Sequence, residues 1–274
     1  MKNTIRVIAA SLFAATTVMA PINANADAVL DAAKNALRSD DAKARDEYRH
    51  PQQTLRFFGI KPDMTVVEIW PGGGWYTDIL FPLLAKEGNY IAAHFYIDDE
   101  SGDYYKRSLA SFQQKTQDGS PYEGVTITAF HPQKALAIAP EGSADAVLTF
   151  RNIHNWYMGG ERDAVVSAFS SFYKALKPGG ILGVVEHQLP ETAADENMKS
   201  SGYMKKSFVI DAAKAAGFEL AAESAVNANP LDTADHPRGV WTLPPSLRLG
   251  QKDQEKYMAI GESNRMTLKF VKPE

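Results

Sequence analysis

From residue 65 onward the chain repeats one pattern: a short apolar, β-branched run, a turn, then in most cases a longer stretch with helical periodicity. Strand-like runs fall at 65–70, 90–95, 125–130, 146–150, 181–185, 218–223 and 266–271, and helical stretches at 75–84, 161–176 and 208–216. Runs this short and this continuously apolar suit strands buried on both faces. They imply an α/β fold, a mostly parallel sheet with helices on each side. In such sheets ligands bind beyond the carboxyl ends of the strands, at the point where strand order reverses. The strand ends are therefore where functional residues are expected.

Ahead of this pattern, residues 27–60 are rich in alanine and charge. Val29, Leu30, Leu37 and Tyr48 are spaced for one or two amphipathic helices that Pro51 stops, and a further short helix over 54–58 ends at Gly59. The first 26 residues read as an address. Lys2 and Arg6 precede an apolar stretch at 7–20, shorter than the roughly 18 residues a spanning helix needs, and Ala24-Asn25-Ala26 offers small residues for cleavage. The expectation is a Sec-type signal peptide cut after Ala26, a periplasmic destination, and no stable membrane insertion afterwards. Loss of Lys2 and Arg6 would take the formal net charge from −4 to −6.

Composition narrows the chemistry. With 45% hydrophobic and 23% charged residues the chain is an ordinary globular protein. Its 29 Lys+Arg against 33 Asp+Glu argue against a nucleic-acid binder, which would carry a basic surface. The absence of cysteine excludes disulfides, thiolate zinc sites, iron–sulfur clusters and a cysteine nucleophile. Polar chemistry must come from histidines, carboxylates, amides and backbone, and a small molecule is the expected partner.

The segment Glu68-Ile69-Trp70-Pro71-Gly72-Gly73-Gly74 follows a strand and opens a helix. Glycines there let the backbone turn tightly and approach a ligand, with a helix N-terminus behind. It is not the dinucleotide fingerprint, because a frame started at Gly72 puts Thr77 at the last glycine, and no Gly-Lys-Ser/Thr follows to make a P-loop. In this context it resembles motif I of the class I S-adenosylmethionine-dependent methyltransferases. Residues 143–150 are similar to the fourth strand of that family, and Leu176-Lys177-Pro178-Gly179-Gly180 to the turn entering its fifth. Gly202-Tyr203, Ala216-Gly217-Phe218 and the late final strand are similar to its sixth and seventh strand regions. More closely, residues 68–77 together with Arg151-Asn152-Ile153-His154-Asn155-Trp156, Asn227-Ala228-Asn229-Pro230 and Gly239-Val240-Trp241-Thr242-Leu243-Pro244-Pro245 resemble a group of exported methyltransferases.

The resemblance implies a Rossmann-like seven-stranded sheet of order 3-2-1-4-5-7-6, strand 7 antiparallel, over residues 61–274. It implies S-adenosylmethionine as cofactor, with Glu68, Trp70, Gly72, Gly73, Gly74 and His94 around it. Residues 227–264, with Pro230, Pro237, Pro244 and Pro245, form a long insertion read as a packed cover. Three positions depart from the family. Trp70 stands at its first glycine, where the indole would pack over the cofactor or block part of its pocket. His94 aligns with the acid that holds the ribose hydroxyls, the nearest acids being Asp98, Asp99 and Glu100, and His131-Pro132 aligns with the Asp that meets the adenine amine.

Four of the six histidines, His94, His131, His154 and His187, fall at the ends of the second to fifth strands. His154 and His187, with Glu186 and Asn152, lie on the substrate side of the family's strand order and are the candidate catalytic residues. A histidine there would act as a general base near neutral pH, or His154, Glu186 and His187 together would coordinate a divalent ion. No His-x-x-x-His spacing points to a metal. Strand ends also gather polar side chains for structural reasons alone. Tyr48-Arg49-His50 reads either as a flap over the site or as a solvated helix end, and Trp75, Tyr76 and Trp156 read as core or rim aromatics. The expected function is an exported methyltransferase for a small-molecule acceptor; the alternative is an inactive protein of the same fold that binds another ligand.

Overall fold

The computed structural model describes residues 22–274. Most of the expected leader, residues 1–21, lies outside the described residues, and 22–26 fall in the first helix, α1 (Ile22–Lys34). Helices α2 (Asp40–Ala44), α3 (Asp46–Arg49) and α4 (Pro51–Phe58) follow. Ser39 starts α2, its Oγ accepting the Ala42 N–H at 3.2 Å. Pro51 also begins an element: it occupies the first turn of α4, where a missing N–H leaves no bond unmade. The short helix expected over 54–58 therefore starts three residues earlier, and it ends at Gly59 with φ 80°.

The strands among the described residues are β1 (Thr65–Ile69), β2 (Asn89–Phe95), β3 (Thr126–Phe130), β4 (Ala144–Phe150), β5 (Leu176–Leu189), β6 (Met204–Lys205), β7 (Glu219–Ser224), β8 (Pro237–Val240) and β9 (Arg265–Val271). The main sheet runs β3-β2-β1-β4-β5-β9-β7, with the two-residue β6 paired to β5 off this path. Its pairs are parallel except those of β9, which is antiparallel to both β5 and β7. With the short β6 and β8 set aside, this is the order 3-2-1-4-5-7-6 with strand 7 antiparallel.

Strand parity sorts the core into two layers. Val67, Ile69 and Val147 face one cluster, built with α7 (Ile153–Ala175) and α8 (Lys206–Ala215). Val66, Ala92, Ala146 and Leu148 face the other, built with α1, α4, α5 (Thr77–Leu84) and Phe112 of α6 (Asp103–Lys115). Glu68 shares parity with Val66, which sends its side chain under α5.

Helix α7 begins at Ile153, eight residues before periodicity places it, and is interrupted at Gly160 and Glu161, where φ is −161° and 53°. The Gly159-Gly160 pair reads as a loop in sequence, so the turn that carries His154 goes unseen. Segment 227–264 holds β8 and α9 (Gln254–Ile260), and a buried carboxylate, Asp232, helps to pin it. Asp232 accepts from the Tyr203 hydroxyl, from His236 Nε2 at 2.8 Å, and from the N–H groups of Ala234 and Asn264.

Central strand β5 carries Gly183 for a steric reason. A Cβ there would meet Leu148 Cδ2 at 2.6 Å and the buried Phe58 ring at 2.9 Å, so the missing side chain is what lets α4 lie on the sheet. Gly183→Ala is expected to cost about 1–3 kcal/mol through overpacking. A urea midpoint equal to that of the unaltered chain would contradict this packing.

Candidate active site

At the carboxyl ends of β1, β2, β4 and β5 lies a cavity of about 880 Å³, within the size range of small-molecule sites. Its walls come from the turn after β1 (Trp70, Gly72, Gly73), from Arg45 and Arg49 of the N-terminal helices, from the β4–α7 junction (Arg151, Asn152, His154), from His187 and Arg265, and from Trp241, Pro244 and Pro245. The last three bring part of segment 227–264 over the opening.

The turn is strained at one point. Trp70 has φ 48°, a left-handed conformation that a glycine would adopt without cost. Its N–H donates to Ala93 O at 2.8 Å and its indole Nε1 to Phe130 O at 2.9 Å, with Phe95, Phe130 and Trp156 packed around the ring. The indole also walls a second pocket of about 310 Å³ beyond the ends of β2 and β3. Next in the turn, Gly72 and Gly73 present bare backbone to the cavity; a Cβ on either would meet nothing within 4 Å. Gly74, at φ 83°, lies behind this face, and its carbonyl accepts the Asp78 N–H of α5 at 3.0 Å.

Two expected ligand contacts point inward. The Glu68 carboxylate accepts from Tyr90 Oη at 2.6 Å and Thr77 Oγ1 at 3.0 Å, tying β1 to β2 and α5. Burial pushes its pKa up to about 7 despite these bonds. His94 is fully buried: its Nδ1 accepts the Phe95 N–H at 2.8 Å, which leaves Nε2–H to donate to Gly72 O at 3.2 Å. Burial lowers its pKa to about 4, so the ring is neutral and both nitrogens are committed to backbone. His94 thus supports the glycine turn from behind. His131 Nδ1 similarly accepts from the N–H groups of Gln133 and Lys134.

The substrate-side residues converge on Glu186. Buried at the end of β5, its carboxylate accepts the Ile153 N–H at 2.6 Å and the His154 N–H at 3.3 Å, which caps α7, and its own neighbour's N–H, that of His187, at 2.7 Å. Its Oε1 also lies 3.0 Å from His154 Nδ1. A carboxylate so placed holds the proton on Nδ1 and leaves Nε2 with its lone pair. The Asn152 amide nitrogen donates to Ile69 O at 2.8 Å and Thr149 Oγ1 at 3.2 Å, locking β1 to the β4–α7 junction. His187 sits 2.5 Å from Ser263 Oγ through Nδ1, and its ring centre is 5.3 Å from that of His154. Burial, followed by the charges of His154, Arg265, Arg151 and Arg49, holds His187 well below the ordinary imidazole range. His154, Glu186 and His187 offer ligand atoms within 4.8 Å of one another, but the Glu186 oxygens already accept several N–H bonds and the surrounding charge is positive.

That charge is the feature the sequence conceals. Glu262 receives Arg45 Nε at 2.6 Å, Arg49 Nε at 3.2 Å and Arg265 Nη2. Burial works against its ionisation, but the arginines together hold its pKa down to about 2. Arg49, stacked 4.5 Å from the Trp75 ring centre, is only 3% exposed, so within Tyr48-Arg49-His50 this residue is cavity wall rather than part of a solvated helix end. More than 200 residues separate Arg45 and Arg49 from Glu262, and no local spacing announces the cluster. Trp75 and Tyr76 also line the cavity, whereas Trp156 is core, and Asp145 fixes the strand entries through Thr65 N–H and Lys177 Nζ.

The strand order, the glycine turn and the cavity beyond the strand ends are those of the class I S-adenosylmethionine-dependent methyltransferase fold. Among solved structures, an S-adenosylmethionine-dependent methyltransferase from Aquifex aeolicus superposes with a TM-score of 0.53 at 13% identity, over 90% of this chain and 98% of that one. The cyclase SpnF gives 0.52 at 16% identity over 88% and 85%. No sequence-family model and no curated protein matches the chain. Likeness at these identities establishes the fold, and a cyclase among the similar structures illustrates that one fold serves more than one reaction.

Glu68 gives the site a measurable pH signature. The folded protein holds this proton more tightly than the unfolded chain, whose ordinary value is 4.5, so its stabilising contribution is full below pH 4.5 and is lost as pH rises through about 7. Glu68→Gln is expected to be more stable than the unaltered protein at pH 8, by roughly 1–3 kcal/mol, with the gap closing towards pH 4. Denaturant titrations at both values test this, and a Gln variant less stable at pH 8 would refute it.

Proposed function

We propose that the chain is an S-adenosylmethionine-dependent methyltransferase acting on a small molecule outside the cytoplasm, in the periplasm, with His154 as general base. The observation that carries the reading is the Glu186–His154 pair, fixed at the end of β5 and the start of α7 on the wall of the cavity that also holds the glycine turn.

The residues present fit the cofactor at one end and fit it in an altered way at the other. The bare backbone of Gly72 and Gly73 would take the methionyl end. Trp70, Phe95 and Tyr105 would flank the adenosine, in place of the ribose carboxylate that His94 does not supply. When bound, S-adenosylmethionine supplies an already activated methyl group on a sulfonium. The protein's task is then to align an acceptor and remove its proton. Nε2 of His154, unprotonated because Glu186 keeps the proton on Nδ1, accepts a proton from an acceptor hydroxyl or amine. Glu186 stabilises the imidazolium that results. Asn152 and His94 position the two halves of the site through backbone, and Trp241, Pro244 and Pro245 keep water from the crevice.

A second reading, a protein of this fold that binds a different ligand without methyl transfer, is favoured by Trp70 at the first glycine of the turn and by the inward-facing His94. Calorimetry with S-adenosylmethionine and S-adenosylhomocysteine separates the two. The methyltransferase reading expects binding; no heat at millimolar cofactor removes it in favour of the second. On an identified acceptor, His154→Ala is expected to lower kcat by roughly 10²–10⁴-fold while leaving cofactor affinity unchanged. Unchanged turnover would remove His154 as the base.

A further inference from the structure

We infer that the arginine cluster facing His154 is an anion site, and that the molecule acted on carries a carboxylate or phosphate group that binds there. Four guanidinium groups, those of Arg45, Arg49, Arg151 and Arg265, surround the single carboxylate of Glu262 and line the same cavity. The cluster therefore carries an excess of three formal positive charges. The other carboxylates on the cavity wall do not offset it: Glu68 is turned into the core on Tyr90 and Thr77, and Asp78 is paired with Lys115 and Tyr122.

Hydrogen-bonding capacity is left over as well as charge. Arg45 Nη2 and Arg265 Nε are buried without any partner. Arg49, 97% buried by its 3% exposure, spends only its Nε on Glu262 among the described residues. The Arg151 guanidinium has no hydrogen bond or ion pair to the described protein, and its backbone is held at φ 62°, a left-handed conformation unusual for a side chain of this size. Buried donors left unpaired are costly, and planar guanidinium forks match the oxygens of a carboxylate or phosphate in paired bonds. A free cation has no comparable place to sit, since the Glu262 carboxylate is already bound by Arg45, Arg49 and Arg265 and that of Glu186 already accepts several N–H bonds.

The position of the cluster orients the ligand. Arg151 and His154 lie three residues apart at the β4–α7 junction, and His187 and Arg265 are register partners across β5 and β9. An anionic group on the arginines would place the remainder of a small molecule beside His154 and against the Trp241 indole, over which Arg248 stacks at 4.7 Å. This orientation rests on the reading of His154 as the reacting group; the anion site itself does not.

Calorimetry on the full chain tests the site with inorganic phosphate and with benzoate as probes, each without cofactor. The expected result is binding of at least one probe with a dissociation constant on the order of 1 mM or tighter, weakening as salt rises. Arg151→Gln should weaken it roughly 10- to 100-fold, while Arg107→Gln on the exposed face of α6 leaves it unchanged. If Arg151→Gln fails to fold, Arg49→Lys, which keeps the charge and loses the fork, should show a smaller loss of the same kind. Absence of binding for both probes at low salt, or binding indifferent to both arginine variants, overturns the proposal. A separate titration with S-adenosylmethionine keeps the two readings apart: probe binding without cofactor binding retains the anion site and removes methyl transfer, and the reverse result does the opposite.

Discussion

One buried carboxylate, Glu186, organises the active face of this protein. It lies on the central strand β5 with no exposure, where an ionised group is tolerated only if its lone pairs are filled. The N–H groups of Ile153, His154 and His187 and the imidazole of His154 fill them. The same bonds that satisfy the charge start helix α7, fix where the β4–α7 junction turns and select the imidazole tautomer. A structural necessity and a chemical one are therefore met by a single side chain.

A second buried carboxylate, Glu262, performs the corresponding task for the cover. It gathers Arg45 and Arg49 from the N-terminal helices and Arg265 from the start of β9, joining parts of the chain over 200 residues apart into one wall. Asp232 anchors the rest of segment 227–264 against Tyr203, His236 and the Asn264 backbone. The cavity thus lies between the sheet edge of the fold and a cover made by the N-terminal helices and segment 227–264. Its positive charge comes from Arg45 and Arg49 of the N-terminal helices, Arg151 after β4 and Arg265 of β9, and the proposed general base from the sheet edge.

Elements with a strong local signal were legible in the sequence. The alternation of apolar runs with helical stretches carried the mostly parallel sheet, because strands buried on both faces are continuously apolar; strand order and the antiparallel last strand came from the resemblance to the methyltransferase family and match the sheet observed. Gly72, Gly73, His154 and His187 could be placed on the cavity because turns and strand ends form its edge. What stayed hidden is of two kinds. Orientation at a strand end depends on parity and on which backbone groups need partners, so His94 looked like a ligand contact although its ring is spent on Phe95 and Gly72. Long-range ion clusters have no local trace: nothing in the sequence links Arg45, Arg49, Glu262 and Arg265 until folding brings them together. The first turn of α7 was obscured by the glycine pair that breaks the helix at Gly160.

Proton-detected nitrogen NMR of the imidazole side chains tests the central claim most directly, because it reports which ring nitrogen of each histidine carries the proton. The account predicts that at pH 8 His154 carries its proton on Nδ1, facing Glu186, with Nε2 bare. Glu186→Gln should loosen that preference, and the proton of His94 should lie on Nε2. A His154 found with its proton on Nε2 would mean that the nitrogen assigned as the base has no lone pair to offer, and the proposed chemistry would fail with it.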